Sequence, residues 1–255
     1  MGNGVSAFLD AAAFLTRVPV GRRPDGPPPS PAVRWFPVVG GLVGLLAAAI
    51  YWAGEWLAGP FVGASVAVAA QVLVTGAFHE DGLADTADAA GGWSRDERFR
   101  ILDDPRHGTY GVLALVLAVI VRVAAVAALA PEHAWVVLPA LHALSRGAAV
   151  ALMGLIPPAS EHGLGASSVR ALDGRDAAAG VAFALIAGAA LLGTWALPAI
   201  AVVAVVGLAM AAYARRTLGG IAGDLLGATQ QLADLAALVL MAGAVRHGAS
   251  FPWWP

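Results

Sequence analysis

The chain contains no cysteine and no lysine, and only 13% of its residues are charged. Without cysteine there can be no disulfide, no thiol nucleophile and no cysteine-ligated metal centre. Without lysine there can be no Schiff base and no lysine-type phosphate clamp, so arginine, backbone amides or a metal must bind any phosphate. The formal net charge of −2 argues against nucleic-acid binding by bulk electrostatics.

The scarcity of charged residues is accompanied by long apolar runs in the sequence. The 255 residues are 59% hydrophobic with a mean hydropathy of +0.74, whereas a soluble domain has roughly 25% charged residues. A transmembrane helix needs about 20 apolar residues. Seven candidate spans meet this criterion: 37–54, 61–78, 110–130, 134–156, 178–195, 197–214 and 225–245. We expect an all-α, polytopic integral membrane helix bundle of about seven transmembrane helices, forming one membrane domain over residues 1–255.

The segment before the first span does not resemble a signal peptide, because Asp10 interrupts its apolar run and no basic region precedes it. Its apolar residues predict a short interfacial helix. Five prolines between residues 22 and 31 predict a stiff extended linker. Residues 1–36 are therefore interpreted as an interfacial helix followed by a proline-rich linker.

Arginine occurs in alternate loops, and cytoplasmic loops are enriched in arginine. It is present in the N-terminal segment, in 79–109, in 157–177 and before the last span, and is absent from the loops between them. This pattern predicts a cytoplasmic N-terminus and an outside C-terminal tail, 246–255, anchored by Trp253 and Trp254. The topology depends on dividing 178–214 into two helices, since a single span there would invert the last helix.

Eight of the 17 acidic residues lie between positions 80 and 104, directly after the second span. Asp81, Asp85 and Asp88 are spaced i, i+4, i+7, which places them within about 60° of arc on one helix face. Their mutual repulsion of roughly 0.2–0.5 kcal/mol per exposed pair would be relieved by a divalent cation. Carboxylates together with substrate phosphates suit Mg²⁺. We predict that 79–109 is a cytoplasmic, acidic active-site loop, the alternative being a merely solvated acidic loop.

Two neighbouring segments are candidates for phosphate chemistry. His79 could act as a base or a phosphate ligand, or simply lie at the membrane interface. The segment 104–111 opens the third span, where Arg106, His107 and Thr109 with free helix amides form a candidate anion site. The alternative for this segment is that Thr109 only caps the helix.

A glycine-rich segment precedes the last span. Gly219, Gly223 and Gly227 are four residues apart, a spacing that permits close helix packing in lipid. Asp224 lies beside this seam on the predicted cytoplasmic side. Packing and a functional role for this segment can coexist.

Arg122 and Arg146 lie inside predicted spans. Each costs about 2.5–3.5 kcal/mol on insertion scales, so each should face the bundle interior. Asp234 is a candidate partner for a structural ion pair, and the alternative is a phosphate-binding arginine in a polar cleft. Taken together, these segments suit metal-assisted phosphoryl or nucleotidyl transfer at one face of the membrane.

The segment Phe78-His-Glu-Asp-Gly-Leu-Ala-Asp-Thr-Ala-Asp88 resembles the hallmark motif of the cobalamin synthase family, also called adenosylcobinamide-GDP ribazoletransferase or cobalamin-5′-phosphate synthase. Four further pieces agree in order: Phe14–Pro19, Asp104–Gly111, Ser145-Arg146 and Gly219–Ala228. The long acidic motif is highly specific. The resemblance covers nearly the whole chain.

The resemblance implies a Mg²⁺-dependent transferase in the cytoplasmic (inner) membrane of a prokaryote. Such an enzyme transfers the adenosylcobinamide-phosphate moiety of adenosylcobinamide-GDP to α-ribazole or α-ribazole 5′-phosphate and releases GMP. The product is adenosylcobalamin or its 5′-phosphate, made in the nucleotide-loop assembly of vitamin B12. A complex with other B12-pathway enzymes or a homo-oligomer is left open, and nucleic acid is not an expected partner.

The resemblance also implies roles for individual residues. The implied metal ligands are Asp81, Asp85, Asp88 and Asp224. The candidate proton acceptors are Asp88 and His79. The implied substrate- and phosphate-binding residues are Asp104, Arg106, Thr109, Arg146, Gly219, Gly220 and Gly223. The aspartate of the family's second motif corresponds to Asp104 rather than Asp103, and Ala222 stands where the family has threonine.

Two alternative functions share some of these features. A CDP-alcohol phosphotransferase also has an aspartate-rich motif, but Phe78 stands where its first aspartate belongs and Asp85 where its arginine belongs. An ion-coupled transporter places polar residues near the midplane and often has internal repeats. Here the polar residues cluster toward one face, and no convincing repeat is visible.

Overall fold

The computed structural model describes residues 2–21, 26–161 and 163–253. Within these ranges every regular element is a helix, with no strand beyond isolated bridges, which confirms the all-α prediction. The interpretations that involve Arg22, Arg23, Pro24 and Trp254 lie outside the described residues.

Twelve α-helices are present in the described part of the chain. They are α1 (Gly2–Leu15), α2 (Ser30–Val33), α3 (Phe36–Ala58), α4 (Pro60–Thr75), α5 (Phe78–Ala90), α6 (Arg95–Leu102), α7 (Thr109–Ala127), α8 (Pro131–Leu155), α9 (Leu164–Ala171), α10 (Gly174–Leu192), α11 (Ala196–Thr217) and α12 (Gly223–Arg246). The predicted interfacial helix corresponds to α1, and the predicted loop 79–109 contains two helices, α5 and α6.

Five stretches are long and apolar enough to cross a membrane, or six if the bent pair α4–α5 counts as one span. The chain is therefore an integral membrane protein by the length and composition of its helices. One of the five stretches is the 44-residue segment Gly174–Thr217, which comprises α10 and α11. The count of seven spans and the side of the membrane on which each loop lies stay predictions.

The helices α10 and α11 form a hairpin rather than one continuous rod. A Cβ on Gly154 of α8 would lie 3.1 Å from Ala177 at the start of α10. Arg215 at the end of α11 donates to the carbonyl oxygen of Leu155, 3.4 Å away. Both outer ends of the hairpin thus meet the same end of α8, and the chain reverses at the 3-10 turn Gly193–Trp195. The predicted division of this region into two helices is confirmed.

Helix α8 is the centre of the bundle and packs against α3, α10, α11 and α12. Small residues let the backbones approach closely, as expected where lipid supplies no hydrophobic driving force between helices. A Cβ on Gly44 of α3 would lie only 2.6 Å from the carbonyl oxygen of Leu138 in α8. A Cβ on Gly63 of α4 would likewise lie 2.5 Å from the backbone nitrogen of Glu55 in α3.

The break between α4 and α5 turns the chain by 90°. Gly76 and Ala77 both have positive φ, of 66° and 58°, so the second predicted span ends at Thr75 instead of residue 78. Helix α5 then crosses one end of the bundle and packs on α12 and α7. We call this the site end, because α1, α5, α6, α9 and the first turn of α12 meet there.

Candidate active site

Asp81, Asp85 and His107 form a cluster with the spacing of a metal site at the site end. One ligand atom from each lies within 4.8 Å of the others. His107 Nδ1 is 3.3 Å from an oxygen of Asp85, and His107 Nε2 is 3.7 Å from an oxygen of Asp81. The prediction that α5 presents its carboxylates on one face is confirmed for Asp81 and Asp85. Residues 78–90 form a helix packed on α12 and α7 rather than a loop, and Asp81 is exposed on its surface.

Asp224, in the first turn of α12, lies opposite this carboxylate pair. The crossing is close because Gly82 of α5 has no side chain, and a Cβ there would lie 2.7 Å from the Asp224 carbonyl oxygen. Asp224 and Asp81 line the same cavity. The structure therefore brings together three of the four predicted metal-binding aspartates, from two helices that are far apart in sequence.

Asp88, the fourth, is engaged elsewhere. Its carboxylate accepts the backbone N–H of Gly108 at 2.6 Å and that of Gly111 at 2.9 Å, which caps the N-terminus of α7. No side chain at the cap position of α7 does so, and the interpretation of Thr109 as the cap is wrong. Asp88 does not line the cavity shared by Asp81 and Asp224.

The cavity at the site end has a volume of about 330 Å³. This falls within the range of roughly 300–1,000 Å³ that is usual for small-molecule sites. Its polar lining includes His79, Asp81, Asp103, Arg146 and Asp224, and its aromatic lining comprises Phe14, Phe36, Phe78 and Phe99. Phe14 stacks on Phe36 and meets Phe78 edge-on, with ring centroids 5.7 and 5.2 Å apart. The cavity therefore offers a ligand both charged groups and flat apolar ring faces.

Arg146 enters the cavity from the bundle interior. It lies on α8, is only 3% exposed and passes over Gly40 of α3, where a Cβ would collide with its side chain. Its guanidinium donates to the ring and carbonyl oxygen of His142. Among the described residues no carboxylate lies within 4.0 Å of it. Arg146 thus brings a positive charge to the cavity that holds Asp81 and Asp224.

Arg122, the other intramembrane arginine, has the structural role considered for it. It forms an ion pair with Asp234 at 3.3 Å and a longer one with Glu80 at 3.7 Å. It also donates to Gln231 at 2.6 Å. The predicted partner Asp234 is confirmed, and Arg122 does not line the cavity.

The connection between α6 and α7 separates two neighbouring aspartates. Asp103 faces the cavity, whereas Asp104 faces away from it. Asp104 accepts two hydrogen bonds from the Arg106 guanidinium, at 2.9 and 2.8 Å. Arg106 thereby lowers the pKa of Asp104 to about 2. The two charges neutralise each other, so Arg106 would have to leave Asp104 in order to bind a phosphate.

The glycines before α12 serve close packing. Gly220 lies against the backbone of residues 157–159, where Ala159 and Ile221 form a hydrogen-bonded bridge, and Gly223 lies against Gly165. Gly219 has a φ of +74°. Gly219 precedes α12, whereas Gly223 and Gly227 lie on it, so the prediction that all three glycines line one helix is wrong. Gly223 also lines the cavity.

Sequence reasoning did not place His107 with the aspartates. It assigned His107 to an anion site with Arg106, because the two are adjacent in the chain. Residues 103–108 fold back onto α5 because Asp88 of α5 caps the N-terminus of α7. The spacing of residues in the sequence does not reveal this contact. A histidine in a segment that follows an acidic helix was the available signal.

The profile of the family described as cobalamin-5-phosphate synthase matches residues 7–242 of the chain. The chain belongs to this family. It is 41% identical to the adenosylcobinamide-GDP ribazoletransferase of Rhizobium etli (strain CIAT 652), over 92% of this chain and 95% of the relative. The enzyme of the same name from Bradyrhizobium diazoefficiens is 40% identical, over 96% of this chain and 96% of the relative. That from Ralstonia nicotianae is 39% identical, over 91% of this chain and 93% of the relative. No solved structure matches the chain.

Proposed function

We propose that this protein transfers the adenosylcobinamide-phosphate moiety of adenosylcobinamide-GDP to α-ribazole or α-ribazole 5′-phosphate, with release of GMP. This reaction builds the nucleotide loop of cobalamin. Family membership supports the reaction class, since close relatives are named for this transfer. The observation that carries the proposal is a single cavity lined both by carboxylates, including those of Asp81 and Asp224, and by the guanidinium of Arg146. Such a cavity suits a diphosphate bound between a metal ion held by the carboxylates and the guanidinium of Arg146.

The donor set fits Mg²⁺. Asp81 and Asp85 supply oxygen ligands within reach of one ion, and Asp224 adds a third carboxylate beside them. Mg²⁺ commonly takes one or two carboxylates together with substrate phosphates. When bound, it would neutralise negative charge on the diphosphate and on the departing GMP. His107 would hold the pair in place or complete the ligand set.

The transfer itself exchanges one phosphorus–oxygen bond for another. A ribose hydroxyl of the ribazole nucleoside attacks the cobinamide-side phosphorus and forms a new phosphoester bond. The bond from that phosphorus to the bridging oxygen breaks, and the electron pair leaves with GMP. Arg146 binds phosphate oxygens during this exchange.

The hydroxyl proton needs an acceptor at the cavity. Of the two candidates, His79 lines the cavity, whereas Asp88 is held by the backbone of α7. We assign the proton to a ring nitrogen of His79, a common general base.

The aromatic wall suits the heterocyclic base of the ribazole nucleoside. Phe14, Phe36 and Phe78 offer ring faces and edges but no hydrogen-bonding groups. A guanine edge buried there would lose its hydrogen bonds with water, which costs roughly 1–3 kcal/mol per unpaired group. The aromatic wall, formed by Phe14, Phe36 and Phe78, therefore favours the base of the ribazole nucleoside over guanine.

The site end is proposed to face the cytoplasm of a prokaryotic cell, with the protein in the inner membrane. The arginine-containing loops support this orientation. Residues 79–109, the loop 157–177 and Arg215 all lie at the site end, in line with the enrichment of arginine in cytoplasmic loops.

The deciding assay uses membranes that contain the full chain, supplied with adenosylcobinamide-GDP, α-ribazole 5′-phosphate and Mg²⁺. GMP and cobalamin 5′-phosphate are measured by chromatography. We expect both products in equal amounts, and neither after EDTA treatment or in Asp81→Asn at normal protein abundance. Asp96→Asn, an exposed acid on α6, is the matched control and should retain activity. Absence of product from folded wild-type protein would overturn the proposal.

A further inference from the structure

A buried polar chain connects Arg146 to the interior of the bundle. His142, one helical turn before Arg146 on α8, lies 3.0 Å through Nδ1 from a terminal guanidinium nitrogen of Arg146. His142 Nε2 lies 3.0 Å from the side-chain amide of Gln71 on α4. All three side chains are buried. The chain thus runs from α4 through α8 to the wall of the cavity.

Arginine fixes the protonation of this chain, because a guanidinium has only donors. The Nδ1 atom of His142 must therefore carry the lone pair, and the proton must reside on Nε2. An Nε2–H needs an acceptor, so Gln71 must present its amide oxygen. A half-turn of the Gln71 amide brings Oε1 to the position that faces His142 Nε2. With this tautomer and this amide orientation, both ring nitrogens of His142 have complementary partners.

We propose that Gln71 and His142 are positioning residues that hold Arg146 for a phosphate of the substrate. This inference rests on the proposed function and adds two residues to it. The reason lies in the charges. Arg122 lies within ion-pair distance of two carboxylates, those of Asp234 and Glu80. Arg146 instead donates to a neutral imidazole and a backbone carbonyl, and among the described residues no carboxylate is in direct contact with it.

A buried arginine without a carboxylate partner is costly, and an anionic ligand would remove that cost. The Nε atom of Arg146 is buried without a hydrogen-bond partner. Gly40 leaves room for the Arg146 side chain, because a Cβ on Gly40 would collide with that side chain. The same Cβ would also lie 2.6 Å from the His142 carbonyl oxygen. The arrangement thus fixes the direction of the guanidinium while keeping its charge for the cavity.

The test uses three substitutions in the full-length protein. His142→Leu removes both hydrogen bonds of the imidazole, and Gln71→Met removes the acceptor of the Nε2 proton. His142→Gln restores an acceptor toward Arg146 and a donor toward Gln71. His133→Leu, at the opposite end of the bundle beside Phe251, is the matched control. Turnover is measured as kcat and as KM for each substrate.

Displacement of a phosphate-binding group by about 1 Å can cost up to ~100-fold in rate. We expect His142→Leu to raise KM for adenosylcobinamide-GDP at least ~10-fold, with KM for α-ribazole 5′-phosphate unchanged. Gln71→Met should have the same signature at smaller size. His142→Gln should restore most of the loss, and His142→Leu should add little to Arg146→Leu, since contacting residues are not additive.

A second readout does not require turnover. GDP with Mg²⁺ should raise the melting temperature of the wild type, His133→Leu and His142→Gln, but not that of His142→Leu. If GDP shifts the wild type but not His142→Leu, and the wild type makes no cobalamin phosphate, the proposed reaction fails while the positioning role stands. If His142→Leu and Gln71→Met both keep the wild-type KM and the GDP shift, the positioning role is overturned. Should His142→Leu fail to fold, Gln71→Met decides alone.

Discussion

Gly82 of α5 lies so close to Gly227 of α12 that a Cβ on Gly82 would be 3.2 Å from the Gly227 Cα atom. A Cβ on Gly227 would lie 3.3 Å from the His79 carbonyl oxygen. The crossing of the two helices brings Asp81 and Asp224 to one cavity. The metal-binding face thus depends on two positions that carry no side chain.

Gly82→Ala should therefore lower activity by separating α5 from α12. The added methyl meets backbone atoms, which cannot rotate away, so we expect a loss of roughly 1–3 kcal/mol of stability. The Mg²⁺ concentration for half-maximal activity should rise as well. Gly207→Ala is the control, since a Cβ there meets nothing within 4 Å. An unchanged metal requirement in Gly82→Ala would show that the close crossing does not set the metal site.

His107 is predicted to support metal binding at Asp81 and Asp85. We expect His107→Ala to raise the Mg²⁺ concentration needed for half-maximal activity by about 10-fold, typical of residues that hold or orient metal ligands. KM for both substrates at saturating Mg²⁺ should stay near the wild-type value. A metal titration of turnover measures this, with His133→Ala as control. If His107→Ala behaves like the wild type at every Mg²⁺ concentration, the cluster is not the metal site.

Much of the fold could be predicted from the sequence because apolar length and periodicity report directly on membrane helices. The runs that form α3, α7, α8 and α12 are predominantly apolar, and their predicted ends agree with the structure to within a few residues. The sharp turn after α4 could not be predicted in this way, because left-handed conformations at Gly76 and Ala77 stop the helix inside an apolar run. A hydropathy scan cannot detect such a stop.

The candidate site was only partly predictable for a related reason. Spacing along α5 placed Asp81 and Asp85 together, since helix geometry is local. The position of Asp103 along the cavity and of Asp104 outside it depends on how a non-helical connection folds. The pairing of Arg122 with Asp234 could be proposed from sequence because both are expensive in lipid. The neutral anchoring of Arg146 by His142 required the three-dimensional contacts.

The aromatic wall leads to a prediction about substrate preference. Phe78 lines the cavity and packs edge-on against Phe14. Loss of an aromatic pairing costs about 0.5–1.5 kcal/mol, so Phe78→Leu should raise KM for α-ribazole 5′-phosphate roughly 2- to 10-fold. KM for adenosylcobinamide-GDP should not change. Phe61→Leu, on an exposed part of α4, is the control. A rise in KM for the GDP substrate instead would assign the aromatic wall to guanine.

Asp88 offers a decisive contrast between a structural and a chemical role. Both of its oxygens accept N–H groups at the start of α7, and a Cβ on Gly108 would lie 2.6 Å from one of them. Asp88→Asn keeps one acceptor but turns an amide N–H₂ toward the other backbone donor. We expect a stability loss of about 1–2 kcal/mol, as for a lost helix cap near a helix dipole.

The same variant should retain turnover below its lowered melting temperature, with an unchanged requirement for Mg²⁺. A proton acceptor would behave differently, since Asp88→Asn would then also lower kcat by roughly 10²–10⁴-fold at temperatures where the protein stays folded. A metal ligand would instead shift the Mg²⁺ titration. Melting curves, kcat and metal dependence measured on Asp88→Asn and His79→Gln together separate these roles. Because only His79 lines the cavity, the large loss of kcat should fall on His79→Gln.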